Sequence, residues 1–258
     1  MKQKIILLII CMFRIVAYGD VLGEYQFEGT LGNNIPVILN FSVNGEYIVV
    51  GEIFYTKQKK SQPILIVGSV DDNGLYTLSE YMPDGKITGW LSFNIKEDDN
   101  EEPQLINGIW TNPKNSKSYA INVQTSNYHV DFTKFYDYAT PEELDGEYMY
   151  RSWNPTMNQE RTGFAKFTHA GEHQLHFNIS VTTPNIATAI SAPERPAELV
   201  KYTYNSFVYE NVNECGYGFS AYFYKRFVVI KTISPIPESN KCFGMGASLE
   251  GVYIKTKK

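Results

Sequence analysis

The sequence predicts an all-β protein built as two tandem antiparallel meander β-barrels, with one large β-sandwich as the alternative. Short runs rich in Val, Ile, Tyr and Phe alternate with turn residues about every 8–12 positions. Aromatic residues make up 14% of the chain, and its 19 tyrosines favour strands over helical bundles. Signals that start a helix are nearly absent.

The first half of the chain contains the clearest strand pattern. Three turns, Asn44-Gly45, Asn73-Gly74 and Asp84-Gly85, each supply residues that tolerate positive φ in a two-residue hairpin, so antiparallel pairing follows. Eight strands are predicted here: Glu24–Glu28, Ile35–Val43, Glu46–Tyr55, Pro63–Val70, Leu75–Tyr81, Thr88–Ile95, Leu105–Thr111 and Ser118–Gln124.

Alternation within the second strand assigns its two faces. One face of this strand is apolar, and we expect the opposite face to be solvated because the strand alternates cleanly. The apolar face carries Ile35, Val37, Leu39, Phe41 and Val43.

The chain divides into four predicted segments. Residues 1–19 form a signal peptide, 20–128 an N-terminal barrel, 129–144 a linker with a helix-like start, and 145–258 a C-terminal β domain. Gly146-Glu147-Tyr148 repeats the Gly23-Glu24-Tyr25 that opens the first half, which hints at similar barrels. The second half has eight predicted strands: Gly146–Arg151, Gly163–Thr168, Gln174–Val181, Ile186–Ile190, Val200–Tyr204, Gly216–Tyr224, Phe227–Thr232 and Gly251–Lys255.

The N-terminal residues predict export to the periplasm, the cell envelope or the extracellular space. Lys2 and Lys4 precede the apolar run Ile5–Met12, and Ala17-Tyr18-Gly19 supplies small residues for cleavage before Asp20. The run is too short for a stable transmembrane span. A membrane anchor and lipid modification of Cys11 remain alternatives.

Charge argues against nucleic acid as a partner. The chain has 23 basic and 28 acidic residues, a net charge of −5, and no basic cluster along one face. Its expected partner is therefore an unknown small molecule, a glycan or another protein. No cofactor is predicted.

Cys215 and Cys242 are the cysteines that follow the signal peptide, and each lies beside glycine-rich sequence. In an oxidising compartment we expect them to form a disulfide bond. A metal site would need more ligands than two isolated cysteines provide.

Three histidines, His169, His173 and His176, fall within eight residues and invite a zinc-site interpretation. On the strand Gln174–Val181 the last two would point to opposite faces, so we favour a turn with exposed histidines and predict no metal site.

Motifs for catalysis are missing from the sequence. We find no Gly-x-Ser-x-Gly, no His-Glu-x-x-His and no phosphate-binding glycine loop, and the carboxylates in Asp98–Glu102 read as a solvated polar loop. An active site assembled from distant strands stays open.

Trp90, Trp110 and Trp153 are the predicted ligand-binding residues. Aromatic rings can line the mouth of a barrel and stack on a sugar, peptide or lipid. Gly89-Trp90 and Gly108-Ile109-Trp110 also fit barrel construction, because a strand glycine leaves space that an aromatic fills.

Two groups of known proteins share motifs with this chain. Residues 20–125 resemble secreted or cell-envelope proteins of Gram-negative bacteria that contain a small all-β domain, through four motifs: Gly23-Glu24-Tyr25, Ile35-Pro36-Val37-Ile38-Leu39, Gly51-Glu52-Ile53-Phe54-Tyr55 and Gly108-Ile109-Trp110. The cysteines, with Cys242-Phe243-Gly244-Met245-Gly246 and Gly251-Val252-Tyr253-Ile254-Lys255, are similar to the ends of small periplasmic β domains, some of which inhibit lysozyme.

Neither resemblance implies an enzyme. Each half has the size of a calycin or lipocalin barrel, but lipocalins carry Gly-x-Trp in the first strand, so lipocalin transport is not implied. We therefore expect a non-enzymatic binding protein. The alternatives are a secreted hydrolase with its site on barrel-mouth loops, and an enzyme inhibitor that presents the loop Ser191–Pro196.

Overall fold

The computed structural model describes residues 21–45, 47–57, 62–98, 101–126, 130–154, 159–183, 186–189, 198–211, 217–232 and 249–257. The predicted signal peptide and the loop Ser191–Pro196 lie outside these residues. Among the described residues, no helix is both long and apolar enough to cross a membrane.

The first eight strands form a closed antiparallel barrel in which every strand pairs with its sequence neighbour and the first pairs with the last. This confirms the predicted meander. The strands are β1 (Val21–Leu31), β2 (Ile35–Asn44), β3 (Ile48–Tyr55), β4 (Ile64–Val70), β5 (Leu75–Tyr81), β6 (Ile87–Asp98), β7 (Glu101–Thr111) and β8 (Ser118–Thr125).

The three hairpin loops are one residue longer than the predicted two-residue turns. Three residues separate the strand ends Asn44 and Ile48, and three residues separate each of the hydrogen-bonded pairs Asp71–Leu75 and Met82–Lys86. Gly74 and Gly85 have φ of +74° and +80°, as expected, but after Asn44 the positive φ falls on Tyr47. Asn44 Oδ1 accepts a hydrogen bond from the Ile48 N–H, which stabilises that loop. Three-residue loops with a left-handed third residue are the next most common hairpin connection.

Strands β6 and β7 reach further into the acidic segment Asp98–Glu102 than the sequence predicted. Asp98 pairs with Glu101, so β6 and β7 extend to the tip of a long hairpin. The carboxylates of Asp98, Glu101 and Glu102 are exposed, as the sequence predicted.

Aromatic rings fill the interior of the first barrel. Phe41 lies at its centre, with its ring centroid 5.1 Å from Tyr25, 5.9 Å from Tyr76 and 5.5 Å from Phe93. The predicted apolar face of β2 points into this core. Its opposite face is only partly solvated, because Pro36 and Ile38 are partly exposed whereas Asn40 and Ser42 are each only 1% exposed.

The second barrel is a nine-stranded antiparallel sheet that is nearly closed. A bridge between Thr203 and Ser206 joins β13 to β14, and β13 pairs with β11. The strands are β9 (Gly146–Asn154), β10 (Gln159–Gly171), β11 (Gln174–Thr183), β12 (Ile186–Ala189), β13 (Glu198–Lys201), β14 (Ser206–Asn211), β15 (Tyr217–Phe223), β16 (Phe227–Thr232) and β17 (Gly251–Lys257).

Two short 3-10 helices, η1 (Phe132–Tyr136) and η2 (Pro141–Glu143), connect the barrels. Helix η1 covers the outer face of β2 and β3. There Lys134 Nζ lies 3.0 Å from Glu52 Oε2, while Arg226 of the second barrel lies 3.9 Å from Glu52 Oε1. The linker therefore covers part of the β2 face that the sequence predicted to be solvated.

An apolar cluster joins the two barrels. Its members come from the outer faces of both barrels and from η1, and all are 9% exposed or less. The two barrels consequently pack against each other through a shared core. The cluster contains Ile48, Val50, Leu65, Val67, Tyr81, Ile87, Trp90, Phe135, Tyr224, Phe227, Val229 and Ile254.

Candidate functional site

A cleft of about 590 Å³ opens beside the apolar cluster, with one wall from each barrel. This volume falls within the roughly 300–1,000 Å³ of small-molecule sites. The cleft is the best candidate for a binding site because polar side chains line a region where two packed barrels would otherwise bury apolar ones.

Strands β4 to β8 of the first barrel build one wall from two rows of outward side chains. Strand register places Ser69 opposite Thr77 and Thr77 opposite Ser92, so three hydroxyl-bearing residues lie side by side on adjacent strands. Neighbours of this kind have Cβ atoms about 4.5–5.5 Å apart.

The second row of this wall runs from Val67 through Ser79 and Trp90 to Thr111. Thr111 Oγ1 lies 3.0 Å from Ser118 Oγ at the far end of the row. Ser79 and Trp90 are buried, whereas Ser69 in the first row is exposed, so the second row lies deeper in the cleft.

Arg151 on β9 is the main polar residue of the opposite wall, and the first barrel holds its backbone. Ser79 Oγ and Tyr81 Oη donate hydrogen bonds to its carbonyl oxygen at 3.2 and 2.8 Å. Burial raises the pKa of Tyr81, so this hydroxyl remains a neutral donor. These bonds fix β9 against β5 at the cleft.

The guanidinium of Arg151 is incompletely satisfied. Nη1 lies 3.5 Å from Glu160 Oε1, but Nε is buried without a hydrogen-bond partner among the described residues. Buried polar atoms in native proteins nearly always have a partner. A ligand would supply an acceptor once the guanidinium turned from Glu160 toward the cleft.

Comparison with known proteins does not identify a family or a function for this chain. No protein-family model, curated protein or solved structure matches the chain. Its function therefore has to be argued from the cleft itself.

The structure separates the predicted tryptophans. Trp90 lines the cleft at 8% exposure. Trp110 lies inside the first barrel at 9% exposure, where Nε1 donates to Glu80 Oε2 at 2.9 Å, and it does not line this cleft. Residue 153 lies in β9, and its side chain is outside the described part of the chain.

Trp110 occupies this interior place because Gly89 leaves room for it. A Cβ at position 89 would lie 2.2 Å from Trp110 Nε1. The glycine–aromatic pattern thus reflects barrel construction, although the ring that fills the space comes from the neighbouring strand and not from adjacent Trp90.

The histidine segment forms a separate cluster on the second barrel. His169 Nδ1 lies 2.6 Å from Asp145 Oδ1, and this oxygen also accepts from the His169 N–H, while Nε2 lies 3.3 Å from Tyr202 Oη. The His173 ring also lies near Tyr202, with centroids 5.6 Å apart, and His176 is exposed on β11. None of these residues lines the inter-barrel cleft.

In this cluster Asp145 Oδ1 accepts a hydrogen bond from the β10 backbone, near the strand end where the register shifts. Nearby, hydrogen bonds from its own backbone and from Thr140 lower the pKa of Glu142. Within the described ranges, no group of three or more His, Cys, Asp or Glu residues could hold a metal ion. Cys215 and Cys242 lie outside those ranges.

Sequence reasoning named Trp90 but missed the hydroxyl-bearing residues of the first wall and Arg151 of the second. Ser69, Thr77 and Ser92 are polar residues at outward positions of three successive strands, a pattern that any solvated barrel face also produces. Arg151 follows Tyr148 and Tyr150 in the sequence, and no motif around it indicates a binding residue. Only the docking of the second barrel turns these positions into a site.

Proposed function

We propose that this protein is an exported binding protein that holds a small polar ligand in the cleft between its two barrels. The observation that carries the proposal is the cleft of about 590 Å³ between the hydroxyl rows of one barrel and Arg151 of the other. A ligand there would contact both barrels at once.

The chemistry of the lining favours binding over hydrolysis. Tyr47, Trp90 and Tyr150 supply aromatic surface, whereas Glu250 is the one carboxylate among the described lining residues. A hydrolase needs a nucleophile beside a base, or an acid and base pair, in its pocket. The His169–Asp145 pair lies outside the cleft.

Blocking the cleft tests this proposal. We expect Ser92→Phe to fill it, because Ser92 lies half-buried in the hydroxyl row. Thr168→Phe is the matched control, since Thr168 is exposed on β10 and does not line the cleft. Native mass spectrometry of the chain from Asp20 would look for added mass, and a thermal-shift screen of sugars, organic acids and nucleotides would follow.

The expected result is a ligand bound by the wild type and by Thr168→Phe but lost from Ser92→Phe, while the wild type and both variants have the same circular dichroism. A ligand that stays bound to Ser92→Phe, or no ligand in either measurement, would contradict the proposal.

Export and a Cys215–Cys242 disulfide form the second part of the proposal. Lys2, Lys4 and the apolar run Ile5–Met12 support export, and an oxidising compartment favours the disulfide. The resemblance to secreted and envelope β proteins agrees with this location. Alkylation of the unreduced protein, read by mass spectrometry, should show no modified cysteine in a mature chain that begins at Asp20.

A further inference from the structure

We propose that the ligand of the inter-barrel cleft is a carbohydrate that carries a carboxylate, and that Arg151 selects it by binding this group. The inference rests on the proposed binding function and adds the class of ligand. Three features of the cleft support it. The Arg151 Nε has no hydrogen-bond partner among the described residues, the other charged lining residues already have interaction partners, and hydroxyl and aromatic side chains line the opposite wall.

Arg151 supplies the charge recognition. Its Nε is buried without an acceptor among the described residues, and its ion pair with Glu160 joins two side chains that are 36% and 34% exposed. Ion pairs between partly exposed side chains contribute little to stability, so the guanidinium can turn toward a ligand at low cost. A guanidinium matches a carboxylate through two parallel N–H···O bonds.

The other charged residues of the cleft are already engaged. Lys231 and Glu250 also line it, and each has an interaction partner within the protein. Glu250 would moreover repel an anion. Among the charged lining residues, Arg151 is therefore the one that has a hydrogen-bond donor to offer an anionic ligand.

The opposite wall fits the remainder of a sugar. Ser69, Thr77 and Ser92 present hydroxyls that both donate and accept, as the hydroxyls of a sugar require. Trp90 and Tyr47 add aromatic surface for the apolar face of a pyranose ring. Tyr47, with 56% of its surface exposed, lies at the entrance.

Isothermal titration calorimetry with matched acidic and neutral sugars tests the inference. The probes are D-glucuronate, D-galacturonate and the uncharged isostere D-glucuronamide. We expect at least one acidic sugar to bind about tenfold or more tightly than its neutral counterpart, because a hydrogen bond to a charged group is lost in the amide. Arg151→Gln should abolish this preference.

Lys166→Gln is the control, since Lys166 is a cation on β10 that pairs with Glu147 and does not line the cleft. It should leave the preference unchanged. Equal binding of acid and amide, an unchanged preference in Arg151→Gln, or no binding of either acid would overturn the inference. If Ser92→Phe still removes another ligand in native mass spectrometry, the binding function stands and the ligand class alone fails.

Discussion

Glu80 is a buried carboxylate inside the first barrel, and three neutral donors satisfy it. Tyr55 Oη and Trp110 Nε1 donate to Oε2 at 2.7 and 2.9 Å, and Thr88 Oγ1 donates to Oε1 at 2.8 Å. Burial and the charge of Glu80 raise the pKa of Tyr55, which keeps this phenol a donor. The network stabilises one end of an otherwise aromatic interior.

Glu80→Gln should destabilise the protein by about 2 kcal/mol, because the amide N–H₂ would face donors that then lose their acceptor. Urea unfolding followed by fluorescence would measure this change. Glu101→Gln, at the exposed tip of the β6–β7 hairpin, is the control and should shift the free energy of unfolding by less than about 0.5 kcal/mol. Equal effects of the two substitutions would show that the network contributes nothing.

Helix η1 is short, yet it supplies hydrogen bonds that strands β2 and β3 cannot make with each other. Tyr136 Oη lies 3.0 Å from the carbonyl oxygens of both Ser42 and Ile48. Its ring contacts Tyr224 of the second barrel, with centroids 6.0 Å apart. The linker therefore packs between the barrels as part of their interface.

Alkaline pH should weaken this interface. Burial raises the pKa of Tyr136 above its ordinary value of 10.0, so its neutral form stabilises the fold below pH 10, and this contribution is lost as pH rises further. Tyr136→Phe should make the fall in unfolding free energy above pH 10 shallower, by up to about 1.4 kcal/mol per pH unit. Urea titrations at pH 8 to 11 would measure this slope.

Tyr204→Phe provides the comparison, since Tyr204 is 81% exposed at the β13–β14 turn. It should follow the wild-type curve at every pH. A Tyr136→Phe curve parallel to that of the wild type would refute the assignment.

The two barrels share a core, which predicts that they unfold together. Phe227 is 1% exposed in the inter-barrel cluster and stacks on Tyr224, with ring centroids 4.5 Å apart. Burial of apolar surface between the barrels couples their stabilities. The same docking holds the two walls of the cleft in place.

Phe227→Ala should cost about 3–5 kcal/mol and divide one calorimetric transition into two, because it leaves a cavity between the barrels. Differential scanning calorimetry would measure both effects. Phe164→Ala, at a 37% exposed position on β10, should change neither. Two transitions already present in the wild type would disprove coupling.

Most of the first barrel could be predicted from its sequence. Leu75–Tyr81 was predicted with the observed bounds, and the apolar residues of β2 point inward as expected. Prediction was weaker in the second barrel, where β14 (Ser206–Asn211) was missed. The predicted strand Val200–Tyr204 ended at the turn where Tyr204 has a φ of +55°, and the strand that returns from this turn was left out of the prediction.

The sequence by itself determined which side chains enter each barrel, because a strand's period of two is local and each barrel closes on its own apolar face. It could not determine which outward side chains would be covered. Ser42, Trp90 and Arg151 occupy similar outward positions along the chain, yet the first lies beneath the linker and the others line a cleft. Only the tertiary structure decided this, since docking joins residues far apart in sequence.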